Sequence, residues 1–200
     1  MDAIVSICDE HALLLVEDCA EAFGAFWKGR HVGSFGDGAT FSFFGNKTIT
    51  TGEGGMVLAR DPGVMARCRH LKSQGVSPTR EYWHDVLAYN YRMTNIQAAI
   101  GLSQIELAAE ILERKTALAA TYRERLSGLP LRTHEPVGDV VHSNWMCSVI
   151  LDDAARRNDL RGALRAAGVD TRPFFPPAHR MPHSAAEGHC PVADRLSARG

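Results

Sequence analysis

The sequence has almost no excess of charge of either sign, and it contains no internal repeat or low-complexity tract. Its 200 residues include 22 lysines and arginines against 23 aspartates and glutamates, so the formal net charge is -1. Binding to nucleic acid or to an anionic membrane surface requires concentrated basic charge, and this balance supports neither role. With 45% hydrophobic residues, the composition is typical of a globular chain of one domain, or of one and a half smaller ones.

Cysteine pairs are absent as well. The five cysteines are odd in number and widely spaced, and none belongs to a Cys-x-x-Cys pair: Cys8, Cys19, Cys68, Cys147 and Cys190. This spacing indicates neither a disulfide framework nor a zinc cluster, so we expect reduced, partly buried thiols. No apolar run approaches the length that spans a membrane, and Asp2 stands where a signal peptide would carry basic residues. We therefore expect a cytoplasmic protein.

The stretch from Phe41 to Gly55 places a single lysine between aromatic residues and a tail of threonines and glycines. An ammonium that is removed from water gives up its proton more readily, and the free amine attacks carbonyls. Ser42 and the threonines offer hydroxyls to a phosphate or a phenolic oxygen, so the pattern favours Lys47 as a lysine that forms a Schiff base. The alternative is an exposed lysine on a surface loop. A nucleotide-hydrolase phosphate loop is excluded, because Lys47 precedes the glycines.

A second stretch places carboxylates at the end of a predicted strand. The apolar run Leu13–Val16 is typical of a strand buried on both faces, and it leads into Glu17 and Asp18. Ligands of open α/β sheets bind beyond the carboxyl ends of the strands. Pyridoxal phosphate requires an acid there, to keep its pyridine nitrogen protonated, and a lysine to hold its aldehyde. The alternative role for Asp18 is the N-cap of a following helix.

Four segments, in this order, resemble the nucleotide-sugar aminotransferases that depend on pyridoxal phosphate. They are Val16–Ala25, Lys28–Asp37, Phe41–Gly55 and Leu87–Thr94. Residues 43–51 resemble the GDP-perosamine synthase branch in particular. The family has the aspartate-aminotransferase-like, fold type I architecture. The resemblance implies an α/β fold: the second half of a large domain with a mostly parallel sheet and flanking helices, plus part of a smaller α+β C-terminal domain.

The resemblance also implies roles for single residues. Lys47 would form the Schiff base and then carry a proton between cofactor and substrate carbons. Asp18 would face the pyridine nitrogen, and Glu21 would lie near the ring, where other members often have an amide or an imidazole. Ser42 would donate its hydroxyl to the cofactor phosphate, and Asn90 would reach the phosphate of the other subunit in a homodimer. As structural alternatives, Ser42 satisfies a strand end and Asn90 is a turn residue.

His179 follows Pro176-Pro177-Ala178 and resembles a family segment that approaches the sugar substrate. A loop histidine with no specific role is the alternative. A metal site is a third alternative, built from His179, His183, His189 and Cys190. Helical spacing and an acidic partner are both missing from that set, so we expect no metal.

The implied reaction moves an amino group, with glutamate as the donor, to the 4-keto carbon of a nucleotide-linked 6-deoxysugar. An example is GDP-4-keto-6-deoxymannose, which becomes GDP-perosamine. Related dehydratases carry histidine where this chain has Lys47. Family members also have an N-terminal portion with a Gly-Thr/Ser phosphate turn and an aromatic ring that stacks on the pyridine, and neither is found here. We expect an internal piece of a larger enzyme; the alternative is a catalytically silent fragment, at most a dimerising or partner-binding remnant.

Local signals define the remaining elements. Thr94 with Gln97 three residues later forms a capping box, and we expect its helix to run without interruption to about Leu126. Residues 1–127 would form the partial cofactor-binding domain, ending in this long helix, and residues 128–200 the partial small domain. In the latter we expect strands over Asn144–Leu151 and Val169–Arg172, a helix over Asp153–Ala167, and a loop beyond Pro173.

Overall fold

The computed structural model describes residues 1–184 and 190–200. It divides into two compact units, Met1–Ala117 with Pro136–Trp145, and Leu118–Glu135 with Met146–Gly200. The domain boundary after residue 127 stays a prediction. None of the described helices is both long and apolar enough to cross a membrane.

The elements follow one another in α/β order. The helices are α1 (Asp2–Glu10), α2 (Pro62–Lys72), α3 (Asn95–Glu106), α4 (Ala108–Leu126), α5 (Arg157–Ala166) and α6 (Pro191–Arg199). The strands are β1 (Val16–Asp18), β2 (Phe26–Trp27), β3 (Arg30–His31), β4 (Gly38–Ser42), β5 (Gly55–Ala59), β6 (Leu131–Thr133), β7 (Val140–Val141) and β8 (Val149–Leu151). Short 3₁₀ turns occupy Ala154–Arg156 and Ala178–Arg180.

The sheet that positions the site has the order β1-β4-β5. β1 runs parallel to β4, with Asp18 opposite Thr40, and β4 pairs antiparallel with β5. In the described residues this sheet is therefore mixed, with one parallel and one antiparallel pair, whereas we expected a mostly parallel sheet. Its inward side chains Ala39 and Phe41 pack with Cys19 in the core, because alternate residues of a strand face the same side.

The prediction that Leu13–Val16 is a strand buried on both faces is wrong. The strand begins only at Val16, and Leu14 and Val16 are 84% and 67% exposed. In the described part of the chain β1 is an edge strand whose only partner is β4. Its apolar side chains consequently have no second neighbouring strand or helix to cover them.

The sequence signals predicted the start of the helix after Thr94 correctly but did not predict the break within it. The capping box at Thr94 is confirmed, since its hydroxyl accepts from the Gln97 N–H and the Gln97 side chain accepts from the Thr94 N–H. The single long helix is wrong: α3 ends at Glu106, and Leu107 separates it from α4 with φ -96° and ψ 2°. Neither proline nor glycine marks this break, so apolar spacing could not reveal it.

The second unit is built on an antiparallel pair of strands, β6 and β8. The strand expected over Asn144–Leu151 is confined to its last three residues, and Val169–Arg172 forms none. The loop expected beyond Pro173 is also interrupted, because α6 begins at Pro191. Proline reads as a helix breaker, yet at the first helical position its missing N–H costs nothing.

Cys19 is the most deeply buried cysteine among the described residues. Its side chain is 3% exposed, and burial, followed by the nearby carboxylates of Glu17 and Asp18, raises the pKa of Cys19 to about 11. We expect iodoacetamide at pH 8 to alkylate Cys19 at least about a hundredfold more slowly than the exposed Cys190, because the reactive thiolate is scarce. Peptide mapping by mass spectrometry measures both rates, and equal rates would contradict the assignment.

The same thiol makes stability depend on pH. The folded-state pKa of Cys19 lies above that of an unfolded cysteine, near 8.5, so the unfolded chain releases its proton first as the pH rises. The free energy of unfolding should therefore fall between about pH 8.5 and 11. Urea unfolding of the wild type and of Cys19→Ala across this window measures the effect, and a Cys19→Ala profile just as steep would refute it.

Candidate active site

The loop between β4 and β5 carries Lys47, and it is held rigidly by its own backbone. The Phe43 N–H donates to the Gly54 carbonyl at 2.9 Å, and the Thr51 N–H donates to the Phe43 carbonyl at 2.9 Å. Thr48 and Thr51 are buried. Gly54 has φ +140°, and a Cβ atom there would lie 2.7 Å from the Thr51 hydroxyl, so this tight packing requires glycine.

The Lys47 side chain is sheltered, which rules out the exposed surface lysine. It is 14% exposed, and its Nζ lies 3.1 Å from Glu21 Oε1. The same Nζ lies over the Trp145 ring, 4.5 Å from its centroid. A carboxylate and an aromatic face both attract a positive charge. This amine therefore has two specific partners, a carboxylate and an aromatic ring.

Asp18 ends β1 at the edge of the sheet from which the Lys47 loop departs, because parallel strands end on the same side. Its Oδ1 accepts from the Ala20 N–H at 3.0 Å. A tight turn follows, closed by the Ala22 N–H on the Cys19 carbonyl at 3.0 Å; since it is not a helix, the N-cap alternative is wrong. The turn carries Glu21 to Lys47, so both carboxylates lie at this end of the sheet. Within the described residues, the second oxygen of Asp18 has no hydrogen-bond donor.

Ser42, at the end of β4, keeps its hydroxyl proton available. Its Oγ accepts from the Phe44 N–H at 3.3 Å, and the described part of the chain provides no acceptor for its O–H. Ser42 thus satisfies a strand end and can still donate to an anion. The structural alternative and the cofactor role are compatible at this position.

Asn90 lies apart from these groups. It forms an isolated bridge with Ser73 and is exposed, between Tyr89 and Tyr91, whose rings stack 4.9 Å apart at 6°. Both tyrosines are largely exposed too. No hydrogen bond joins Asn90 to Lys47, Asp18 or Ser42 in the described residues, so any role at the site stays a prediction.

His179 belongs to the second unit, where it is engaged in a local cluster. Its Nε2 lies 3.2 Å from Asp194 Oδ1, and Arg180 donates to the same oxygen from 2.9 Å. The Arg180 hydrogen bond is the main reason that the pKa of Asp194 is lowered. The role of His179 toward a sugar stays a prediction.

The metal alternative involved His189, which lies outside the described residues. Among residues 1–184 and 190–200, no group of three or more histidine, cysteine, aspartate or glutamate side chains has the geometry to hold a metal ion.

Sequence patterns did not identify two residues that organise the site, Glu17 and Trp145. The Glu17 carboxylate is buried and accepts the N–H groups of Gly33, Phe35 and Gly36 at 2.7 to 2.8 Å, which fixes the segment between the hairpin and β4. Its position inside an apolar strand was the available signal, because a buried carboxylate needs partners. Trp145 donates a hydrogen bond to Asn46 in the Lys47 loop, although the two residues are 99 positions apart in the sequence. No local pattern predicts a contact over such a distance.

Comparison with known proteins finds relatives along the whole chain. A family model described as the DegT/DnrJ/EryC1/StrS aminotransferase family matches residues 1–200. GDP-perosamine synthase of Escherichia coli O157:H7 is 48% identical, over 100% of this chain and 55% of the relative. The Vibrio cholerae GDP-perosamine synthase is 46% identical, over 100% and 56%.

Solved structures agree. The crystal structure of an aminotransferase, TlmJ, from Streptoalloteichus hindustanus matches with a TM-score of 0.91 at 31% identity, over 98% of this chain and 54% of that one. The chain spans about half the length of the curated relatives that it matches. The expected family resemblance is confirmed.

Proposed function

Because the chain belongs to the DegT/DnrJ/EryC1/StrS aminotransferase family, we propose that it serves the transfer of an amino group to a nucleotide-linked keto sugar. The observation that carries this proposal is the sheltered Lys47 amine, 3.1 Å from Glu21, at the sheet edge where Asp18 ends β1. Pyridoxal phosphate is the cofactor of this family of enzymes. When bound, it supplies a reactive carbonyl and a ring that withdraws electrons.

The chemical groups of three residues, Lys47, Asp18 and Ser42, are suited to binding this cofactor. Lys47 provides the primary amine that captures the carbonyl. The free oxygen of Asp18 can accept a hydrogen bond from a protonated pyridine nitrogen, and the Ser42 hydroxyl, with no protein acceptor among the described residues, can donate to the phosphate. Each of the three groups thus offers the hydrogen-bond or nucleophilic capacity that its assigned partner requires.

With the cofactor bound, the Lys47 amine would also act as the general base and acid that carries a proton between the cofactor carbon and the substrate carbon. Glu21, at 3.1 Å from Nζ, keeps the amine located during this exchange. We assign Glu21 to the cofactor site on this contact.

The finer assignments follow the named relatives. Two of them are GDP-perosamine synthases, which supports GDP-4-keto-6-deoxymannose as the proposed sugar. We further propose glutamate as the amino donor and the cytoplasm as the location. His179 is assigned to the sugar, by its Pro-x-His segment. Asn90, exposed beside two exposed tyrosines, is assigned to the cofactor phosphate of a second subunit in a homodimer.

A second candidate function rests on the bare edge of β1. Leu14 and Val16 are exposed there, and a strand with one unpaired edge and an apolar surface is a template for association. In this alternative the 200-residue chain is catalytically silent and at most dimerises or binds a partner.

Trapping and turnover assays on this chain separate the two functions. Pyridoxal phosphate is added, sodium borohydride fixes any adduct, and mass spectrometry locates it; the amine displaces the carbonyl oxygen as water, and hydride saturates the resulting carbon–nitrogen bond. Turnover is measured as GDP-perosamine formed from the keto sugar and glutamate. A Lys47 adduct with turnover supports the enzyme, an adduct without turnover supports the silent chain, and labelling spread over all lysines refutes the site.

A further inference from the structure

Trp145 joins the Lys47 loop to a distant part of the first unit. Its indole N–H donates to the Asn46 carbonyl at 2.8 Å, directly beside Lys47. Its own carbonyl accepts from Lys115 Nζ, on α4, at 3.2 Å. The tryptophan is thus fixed to the helix by its backbone and to the loop by its side chain.

The residues just before Trp145 are fixed as well. Ser143 is 4% exposed, and its hydroxyl donates to the Glu21 carbonyl at 3.0 Å. Asn144 adopts φ +49°, a conformation that asparagine tolerates better than most residues. Upstream, β7 pairs with β2. One segment, residues 140–145, therefore contacts both the turn that carries Glu21 and the loop that carries Lys47.

We propose that Trp145 is a positioning residue for the Lys47 amine. The ring face, 4.5 Å from Nζ, restricts the flexible lysine side chain in addition to the Glu21 carboxylate, which lies 3.1 Å from the same atom. The N–H bond to Asn46 fixes the backbone from which that side chain starts. A nucleophile held in place reacts faster with a bound carbonyl than one that must search for it. This inference rests on the proposed role of Lys47.

Two carbonyl reagents distinguish positioning from simple shielding. Formaldehyde is small and unbound, so its reaction with Lys47 depends on access and on the unprotonated fraction of the amine, and not on the orientation of a bound reagent. Pyridoxal phosphate must meet an amine that is correctly placed. Removing the ring should therefore raise the rate of reductive methylation by formaldehyde and lower the rate of reductive adduct formation with pyridoxal phosphate. A variant that merely unfolds would move both rates toward those of an exposed lysine.

The experiment uses the full 200-residue chain, cyanoborohydride as the reductant, and peptide mapping of each lysine. The readout is the ratio of the pyridoxal phosphate rate to the formaldehyde rate at Lys47. We expect Trp145→Ala to lower this ratio about tenfold or more. Trp145→Phe, which keeps a ring face and loses the N–H, should retain it within about threefold. Trp83→Ala, which removes an exposed tryptophan stacked with Arg80, is the matched control and should leave it unchanged.

A second readout involves no cofactor. In a Trp27→Phe, Trp83→Phe background, only Trp145 emits, and Lys47→Met should shift its fluorescence because the neighbouring charge is removed. An unchanged ratio in Trp145→Ala, or unchanged emission in Lys47→Met, overturns the positioning role. If the wild-type chain shows no preference of pyridoxal phosphate for Lys47 while the emission shift is present, the contact stands. In that outcome the proposed function fails, and the positioning role falls with it.

Discussion

Replacing Glu17 with alanine should destabilise the first unit by about 3–5 kcal/mol. Its carboxylate is buried and accepts three backbone N–H groups, from Gly33, Phe35 and Gly36. Each donor left unpaired in the interior costs about 1–3 kcal/mol, and partial hydration lowers the sum. Because these residues lead into β4, we also expect the Lys47 loop to lose its fixed position. Urea unfolding followed by circular dichroism measures the loss.

Two further variants isolate the cause. Glu17→Gln keeps the shape but turns an NH₂ group toward N–H donors, so it should cost less than alanine and still about 1–3 kcal/mol. Glu81→Ala removes a carboxylate from an exposed position and should stay within about 0.5 kcal/mol of the wild type. A Glu17→Ala chain as stable as Glu81→Ala would show that the three hydrogen bonds contribute nothing.

Lys47→Ala should abolish the borohydride-fixed adduct, and in a turnover-competent enzyme it should lower the rate by roughly 10⁴-fold or more. The substitution removes both the nucleophile and the group that moves the proton, and general acid–base catalysis alone contributes about 10²–10⁴-fold. Lys47→Arg should be equally inactive. Its guanidinium keeps the charge toward Glu21 and Trp145 but stays protonated and does not attack carbonyls.

The matched control is Lys72→Ala, because Lys72 is exposed at the end of α2. It should leave the adduct and turnover unchanged. Measurement combines mass spectrometry of the trapped chain with product formation from the keto sugar and glutamate. A Lys47→Ala enzyme that transaminates at a rate close to that of the wild type would exclude Lys47 as the essential amine, whatever the result for Lys47→Arg.

Short-range signals predicted much of the fold correctly. The Thr94 cap acts on N–H groups within three residues, and the sequence shows both members of its capping box, Thr94 and Gln97. The helix expected over Asp153–Ala167 is also present, as the 3₁₀ turn Ala154–Arg156 followed by α5. Such features depend on contacts a few residues apart, which local composition records directly.

Long-range features were missed. The burial of β1 depends on which elements cover it, and the break at Leu107 carries no sequence mark. The sequence pattern identifies Glu17 only as the end of a strand. Its three N–H donors lie 16 to 19 residues away in a loop, too far for a local pattern to indicate them. In each case, the deciding partner lies outside the window in which a pattern can be read.

The sequence by itself determined the family and the candidate amine Lys47, because contiguous motifs specify both. Only the tertiary structure decided what surrounds that amine. Glu21 reaches it across 26 residues, and the indole of Trp145 comes from the far end of the first unit. Chain folding creates such neighbours by bringing distant segments within hydrogen-bond distance, and no local pattern encodes that proximity.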